Sequence, residues 1–300
     1  MATQRISFAP QQEIVSCHVC SGQEYTAYLD ARGYTIVRCD DCGLLYVNPQ
    51  PDSEELEKVY SEYDSGEQWR RGEEHFNRSI RGTITRFKKG GVAMDVGSGS
   101  GNFLRCLRAA GFQVFGVEPS QSGSEYAQST HGIETFNGTI ESFIASGAGG
   151  GRRFDVITLL NVLEHLKRPA AVLDQLRQVL HETGILVIVV PDAHLHALVG
   201  ETRRRLGFKD PFWMDTFRHP LVAFDPPHHL CSFEPSTISE FVVRCGFKPI
   251  YIRNAPVVFN DDSWKNAAKL FLRAFSESLY WATFRRVILG YSTLIVCQKA

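Results

Sequence analysis

Val92-Ala-Met-Asp-Val-Gly-Ser-Gly-Ser-Gly-Asn-Phe103 passes from an apolar stretch into three glycines at alternate positions, Gly97, Gly99 and Gly101. Val92 to Val96 reads as a buried strand, and Phe103-Leu104-x-x-Leu107 as the start of an amphipathic helix. Glycines so placed let the backbone turn sharply and let a ligand press against it, because no Cβ intervenes. In an open α/β sheet, the carboxyl end of the first strand is where a nucleotide-like ligand sits. The dinucleotide fingerprint G-x-G-x-x-G/A places its third small residue one step later than here, where Asn102 stands. Lys and Arg are absent between Val92 and Leu104, and no G-K-[ST] occurs, so a P-loop is excluded. Asp95, just before the first glycine, suits a cationic or zwitterionic ligand better than a pyrophosphate.

Working outward, strands are expected at 92–96, 113–117, 133–136, 154–160, 184–190, 249–253 and 293–298. Helices are expected at 102–110, 121–130, 170–180 and 236–245. This alternation predicts an α/β fold, a parallel sheet with helices on both faces. Ahead of it, a helix is expected from Asp52 or Ser53. A second spans 67–88, with Phe76, Ile80, Ile84 and Phe87 inward. The basic segment Trp264 to Leu289 is expected to pack on the sheet through Leu270, Phe271, Phe275, Leu279 and Tyr280. Gly147 to Gly151 reads as a surface loop.

Three further places extend the first glycine signal. Val114-Phe-Gly-Val-Glu118 is a strand ending in an acid, and a carboxylate there can accept both ribose hydroxyl hydrogens. That role is common to NAD and S-adenosylmethionine sites. After the third strand, Thr139 and Ile140 are expected to bracket the adenine. The fourth strand leads into Leu160-Asn161-Val-Leu-Glu164-His165.

The run Asp95-Val-Gly97-Ser98-Gly99-Ser-Gly101 resembles the first motif of the Rossmann-like S-adenosylmethionine-dependent methyltransferases. With Val117-Glu118-Pro119 and the Asn161–His165 run, the likeness covers about Val92 to Phe247. It points to the methyltransferase-domain family around ubiquinone-pathway, sugar and antibiotic-tailoring enzymes. The resemblance implies a doubly wound sheet of seven strands with the last antiparallel, and S-adenosylmethionine as cofactor. Leu160 and Asn161 would line the cofactor, while Glu164 and His165 would face the acceptor. The ubiquinone-pathway enzymes carry E-x-x-E-H here, able to bind a metal; this chain has Asn161 for the first acid, so the resemblance does not extend to a catalytic metal. Pro226-Pro-His228-His229-Leu-Cys-Ser-Phe233 resembles the segment that crosses the active-site mouth, which makes His228 and His229 acid/base candidates beside His165. An imidazole can take the proton of a hydroxyl, amine or carbon acid near neutral pH, and His229 is preferred. The aromatic stretch Gly207 to Phe224 is expected to be a lid, an acceptor wall or a packed insert.

The eight cysteines divide cleanly. Cys17-x-x-Cys20 and Cys39-x-x-Cys42, separated by residues 21–38, have the spacing of a structural zinc site with four thiolates and no open position. His18 is not expected to ligate. Cys106, Cys231, Cys245 and Cys297 read as small core hydrophobes. A zinc ribbon joined to this kind of domain resembles an arrangement seen in bacterial biosynthetic methyltransferases. Bound zinc contributes about 10–16 kcal/mol in such small modules. The expected organisation is a zinc ribbon over 1–50, a helical linker over 51–90 and the cofactor domain over 91–300, with 205–233 as insert or lid.

The formal net charge of −1, with 43% hydrophobic and 22% charged residues, carries no nucleic-acid signature. The longest apolar run, Ile185 to Val190, is too short to span a membrane. The first residues lack a signal-peptide core, so a cytoplasmic protein is expected. The expected partner is a small-molecule or carrier-bound acceptor; oligomeric state is left open. Three other readings stay open: an RNA methyltransferase gripping through the ribbon, an NAD-dependent oxidoreductase, and a non-catalytic zinc scaffold. Against the first, Arg32, Arg38 and Lys58 are offset by Asp30, Asp40, Asp41, Glu54, Glu55 and Glu57.

Overall fold

The computed structural model describes residues 12–31, 33–52, 55–56, 73–192, 226–256, 271, 274–275, 278, 282–283 and 292–300. The described elements begin with β1 (Gln12–Glu13), β2 (Tyr25–Ala31), β3 (Tyr34–Cys39), β4 (Leu45–Val47) and β5 (Gln50–Pro51). Helix α1 (Glu73–Phe87) follows. Then come β6 (Gly91–Val96), α2 (Asn102–Arg108), β7 (Phe112–Glu118), α3 (Gln121–His131), β8 (Thr135–Asn137), α4 (Ile140–Ser146) and β9 (Phe154–Leu160). A 3-10 turn (Leu163–His165), α5 (Pro169–Val179), β10 (Leu180–Pro191), β11 (Cys231–Ser232), α6 (Pro235–Arg244), β12 (Phe247–Asn254) and β13 (Ser292–Lys299) complete the described elements.

The seven expected strands form one sheet in the order β12-β13-β10-β9-β6-β7-β8. β6 to β10 pair in parallel, and β13 lies antiparallel between β10 and β12. This is the doubly wound arrangement with an antiparallel last strand. Buried residues alternate along β10. Leu186, Ile188 and Val190 face a layer built from α4, α5 and α6. Ile185, Val187 and Val189 face α1 and α2, through Phe76, Ile80, Ile84, Phe103 and Leu107. The period of two explains how one apolar strand serves two helical layers. The order also fixes a crevice. β6 sends the chain to β7 on one side, and its other neighbour is β9, so the loops after β6 and β9 diverge at this switch point.

The N-terminal strands form a second sheet, β11-β4-β3-β2, antiparallel throughout. Its fourth strand comes from Cys231–Ser232, far along the chain. Cys17, Val19, Val37, Cys39, Leu44 and Tyr46 share one buried cluster with Leu163, Cys231, Phe233 and Phe241. The two sheets thus have a continuous core.

Some expectations are corrected. Phe87 is 36% exposed and meets the Tyr251 ring edge-on at 5.9 Å. Phe271 and Phe275, expected on an inner face, are 73% and 51% exposed. Residues 140–146, where no helix was expected, form α4, capped by Thr139 accepting from the Ser142 N–H. Cys231 and Cys297 are core residues, whereas Cys106 and Cys245 are only half-buried. Asp52 does cap the backbone of Glu55 at 2.8 Å. Most of the expected lid at 205–233 and of the segment 264–289 lies outside the described residues. No described helix is long and apolar enough to cross a membrane.

Ile295 of β13 is fully buried between Ile188 and Ile252. Ile295→Ala should cost about 2–5 kcal/mol of stability by urea unfolding. Val243→Ala, at an exposed helical position, should cost less than about 1 kcal/mol.

Candidate functional site

The glycine loop is held from both sides. Gly97, Gly99 and Gly101 have φ of 71°, 51° and 78°. The Gly97 and Ser98 amides donate to the Val117 carbonyl at 2.8 and 3.2 Å. A Cβ on Gly97 would lie 2.6 Å from Val162 Cγ2, so only glycine fits. Glu118, at the carboxyl end of β7, accepts the Gly99 N–H at 2.6 Å and the Ser120 N–H at 2.8 Å. Each carboxylate oxygen keeps a further acceptor site, available to a diol at the crevice. Burial raises the Glu118 pKa while these two amides pull it down. Pro119, exposed, follows it.

Asp95 lies beneath the loop, 3% exposed. Thr158 Oγ1 donates to its Oδ1 at 2.5 Å from the neighbouring strand β9. Burial pushes Asp95 up to about 8; the Thr158 bond opposes this and the Glu118 charge adds to it. A cation close by would restore the ionised form. Ser98 Oγ is buried with no hydrogen-bond partner among the described residues. A Cβ on Gly116 would sit 2.6 Å from it, so the glycine inside β7 makes room for Ser98. Thr139 is exposed, whereas Ile140 is buried in the core. Leu160 is half-buried. Asn161 is exposed at φ 56°, and its N–H donates to the Val189 carbonyl at 2.9 Å.

Across the crevice, the turn after β9 presents Glu164, 1% exposed, with neither carboxylate oxygen hydrogen-bonded to any described residue. Burial pushes it up to about 8. His165 Nδ1 donates to the His228 carbonyl at 2.6 Å. That bond fixes the neutral tautomer with Nε2 unprotonated, 3.8 Å from Glu164 Oε1. Burial depresses His165 to about 4, against the His228 bond. The His229 ring lies 4.9 Å from that of His165. Donor atoms of Glu164, His165 and His229 all fall within 4.8 Å of one another. One carboxylate and two imidazoles form a donor set able to hold a divalent cation. Of His228, the backbone carbonyl enters this cluster.

In the ribbon, Cys17, Cys20, Cys39 and Cys42 place their sulfurs within 4.8 Å of one another. The Cys17–Cys42 and Cys20–Cys39 sulfur separations are both 3.4 Å. A tetrahedron with metal–sulfur bonds of about 2.3 Å has edges of about 3.8 Å, so the arrangement fits four thiolates around one ion. Burial pushes the Cys17 thiol up to about 12 and Cys42 higher. A cation among the four sulfurs would compensate that cost.

The family described as methyltransferase domain matches residues 69–252. The chain belongs to this methyltransferase-domain family. It is 30% identical over 122 residues to the ubiquinone biosynthesis O-methyltransferase of Psychrobacter arcticus, covering 37% of this chain and 46% of that enzyme. This chain therefore spans about half the length of that relative. It is 26% identical over 203 residues to the enzyme of the same description from Cereibacter sphaeroides, covering 64% of this chain and 73% of the relative. The structure of a 1,6-didemethyltoxoflavin N1-methyltransferase from Burkholderia thailandensis superposes with a TM-score of 0.52 at 15% identity, over 92% of this chain and 99% of that one. That likeness speaks for the fold.

Of the methyltransferase-domain site residues expected from sequence, Asp95, Gly97, Ser98, Gly99, Gly101 and Glu118 gather around the loop after β6. Glu164, His165 and His229 gather after β9. Missed were Val162, packed on Gly97, Thr158, donating to Asp95, and Gly116, beneath Ser98. A lone Thr in the apolar run of β9 and a Gly inside β7 were the available signals.

Asp95 has a sign-definite effect on stability. Its folded pKa is raised, so the native state holds an extra proton between the unfolded value near 4 and about 8. That contribution is complete below pH 4 and is lost as pH rises through 8, at up to about 1.4 kcal/mol per pH unit. Denaturation of the ligand-free protein between pH 5 and 8 should show a shallower decline for Asp95→Asn than for the native chain. Equal slopes would contradict the assignment.

Proposed function

We propose that this protein transfers the methyl group of S-adenosylmethionine to a small-molecule or carrier-linked biosynthetic acceptor. The observation that carries the reading is Glu118, buried yet still able to accept from a diol, beside a glycine loop pressed against Val162. When bound, S-adenosylmethionine supplies a methyl group already activated as a sulfonium. The chain's residues then have two tasks. Glu118 orients the ribose, and the Gly97–Gly101 loop with Asp95 receives the zwitterionic amino-acid end, whose ammonium suits the Asp95 carboxylate. Much of the acceleration comes from holding donor and acceptor in line.

The second task is the acceptor's proton. His165 is a poor base, since burial depresses it to about 4 and its Nε2 faces Glu164. His229 is the better candidate to take the proton as the acceptor bonds to the methyl carbon. Thr139, Ile140, Leu160, Asn161 and Pro119 belong to the cofactor's surroundings in this reading, with Ile140 as buried floor. We assign zinc to the four-cysteine cluster. A second reading, favoured by the grouping of their donor atoms, is that Glu164, His165 and His229 hold a divalent cation that would polarise the acceptor.

Calorimetry should show S-adenosylmethionine binding and no NAD binding; the reverse would overturn the reading. His229→Ala should slow methyl transfer to a responsive acceptor by about 10²–10⁴-fold, with cofactor affinity unchanged. Metal analysis should return about one zinc per chain. A second equivalent abolished by Glu164→Gln would favour the cation reading, and a metal-free folded chain would refute the ribbon assignment.

A further inference from the structure

Leu230 is bonded on both sides of its backbone. Its carbonyl accepts the Val47 N–H of β4 at 2.9 Å, and its N–H donates to the Glu164 carbonyl at 2.8 Å. One residue earlier in the chain is His229; before that, the His228 carbonyl receives His165 Nδ1 at 2.6 Å. One residue later, Cys231 pairs with Tyr46, and Ser232 with Leu45, as β11 joins the ribbon sheet. β4 in turn pairs with β3, which ends at Cys39. The Cys39 N–H donates to the Leu44 carbonyl at 2.9 Å, closing the second knuckle directly onto β4. Tyr46 is fully buried and meets His18 of the first knuckle edge-on at 6.0 Å. A salt bridge of 3.1 Å between Lys167 and Glu13 makes a second tie between the ribbon side and the turn after β9.

We propose that the four-cysteine ribbon is a positioning element of the acceptor side, with Val47 as the residue that transmits its position to His229 through Leu230. A ribbon held only by the small cluster it buries on one face, Ala31, Tyr34, Ile36, Leu45 and Val47, would stabilise itself and leave the catalytic turn alone. This one lends a strand edge to the segment that carries His228 and His229, and the opposite side of that segment is bonded to Glu164 and His165. Neither end can shift by the length of a hydrogen bond without breaking one of the two bonds at Leu230. Among the described residues, the glycine loop, Asp95 and Glu118 find their hydrogen-bond partners in β6 to β9, α2 and the loops beside them, and none in the ribbon. Position of the histidines and affinity for the cofactor are therefore separable. The inference rests on reading the cysteine cluster as metal-bound and the Glu164–His229 cluster as the acceptor side.

The test uses the full zinc-loaded chain. Val47→Pro deletes the one N–H that reaches Leu230 while leaving the thiolates in place; Val47→Ala keeps it. Hydrogen exchange at the Leu230 amide and the imidazole NMR signals of His165 and His229 report the brace. Metal content and S-adenosylmethionine calorimetry are measured in parallel. Val47→Pro should retain zinc and bind the cofactor within about threefold of the native chain. Leu230 exchange should accelerate at least about 100-fold, and both imidazole signals should shift. Val47→Ala should match the native protein. Stripping zinc with a chelator should change the same reporters before cofactor affinity falls. Unchanged histidines in Val47→Pro, or a cofactor affinity that falls in step with them, overturns the proposal. Should one arm unfold, the other decides; if both unfold together with the cofactor site, the ribbon is a general stabiliser and the proposal fails. A native chain that binds no S-adenosylmethionine refutes the proposed function, and the Leu230 and imidazole readouts still judge the brace.

Discussion

The parallel pairing of β6 with β9 is the contact on which the other features depend. It sets Asp95 beside Thr158 and Val96 beside Leu159. The chain leaves β6 toward β7 and leaves β9 toward β10, so the loops after the two strands part at the same edge. Gly97 then meets Val162 across the gap, and Glu118 closes the loop from the far side. A shift of one residue would turn Thr158 to the other face. Asp95 would lose its hydroxyl donor, and the glycine loop would lose the side chain it packs against.

Much of the sheet was legible because its strands are continuous apolar runs bounded by turn residues, as parallel strands covered on both faces are. Glu118 was legible from its place at the end of the second strand. Its two amide partners were not, because they depend on how the Gly97–Gly101 loop folds back. Helix α4 was missed because it has only about two turns, with Thr139 as its cap; too few residues follow to display a helical period. Phe87, Phe271 and Phe275 show the limit of periodicity. The pattern places a side chain on a face of its helix, and tertiary packing decides whether anything covers it.

The cluster of Glu164, His165 and His229 was legible only as separate motifs. Asn161–His165 and His228–His229 stand far apart in sequence, and no spacing rule joins them. What joins them is backbone: the Glu164 carbonyl to Leu230, and the His228 carbonyl to His165. Carbonyl and amide partners leave no trace in residue identity, which is why the pairing of β11 with β4 could not be read in advance. The cysteine spacing named the knuckles. It gave no sign that their sheet would be completed by Cys231–Ser232.

The position of β13 sets an order on synthesis. Among the described residues, β12 pairs in the large sheet only with β13, and β13 is drawn from residues 292–299. A ribosome delivers β6 to β10 first, so the crevice between β6 and β9 can assemble while β12 has no place to dock. Until β13 emerges, the edge of β10 from Leu186 to Pro191 stands open, lined by Ile188 and Val190. An apolar open edge is a template for pairing with another chain. A nascent chain that assembled β6 to β10 before β13 emerged would carry this open apolar flank until β13 paired with it.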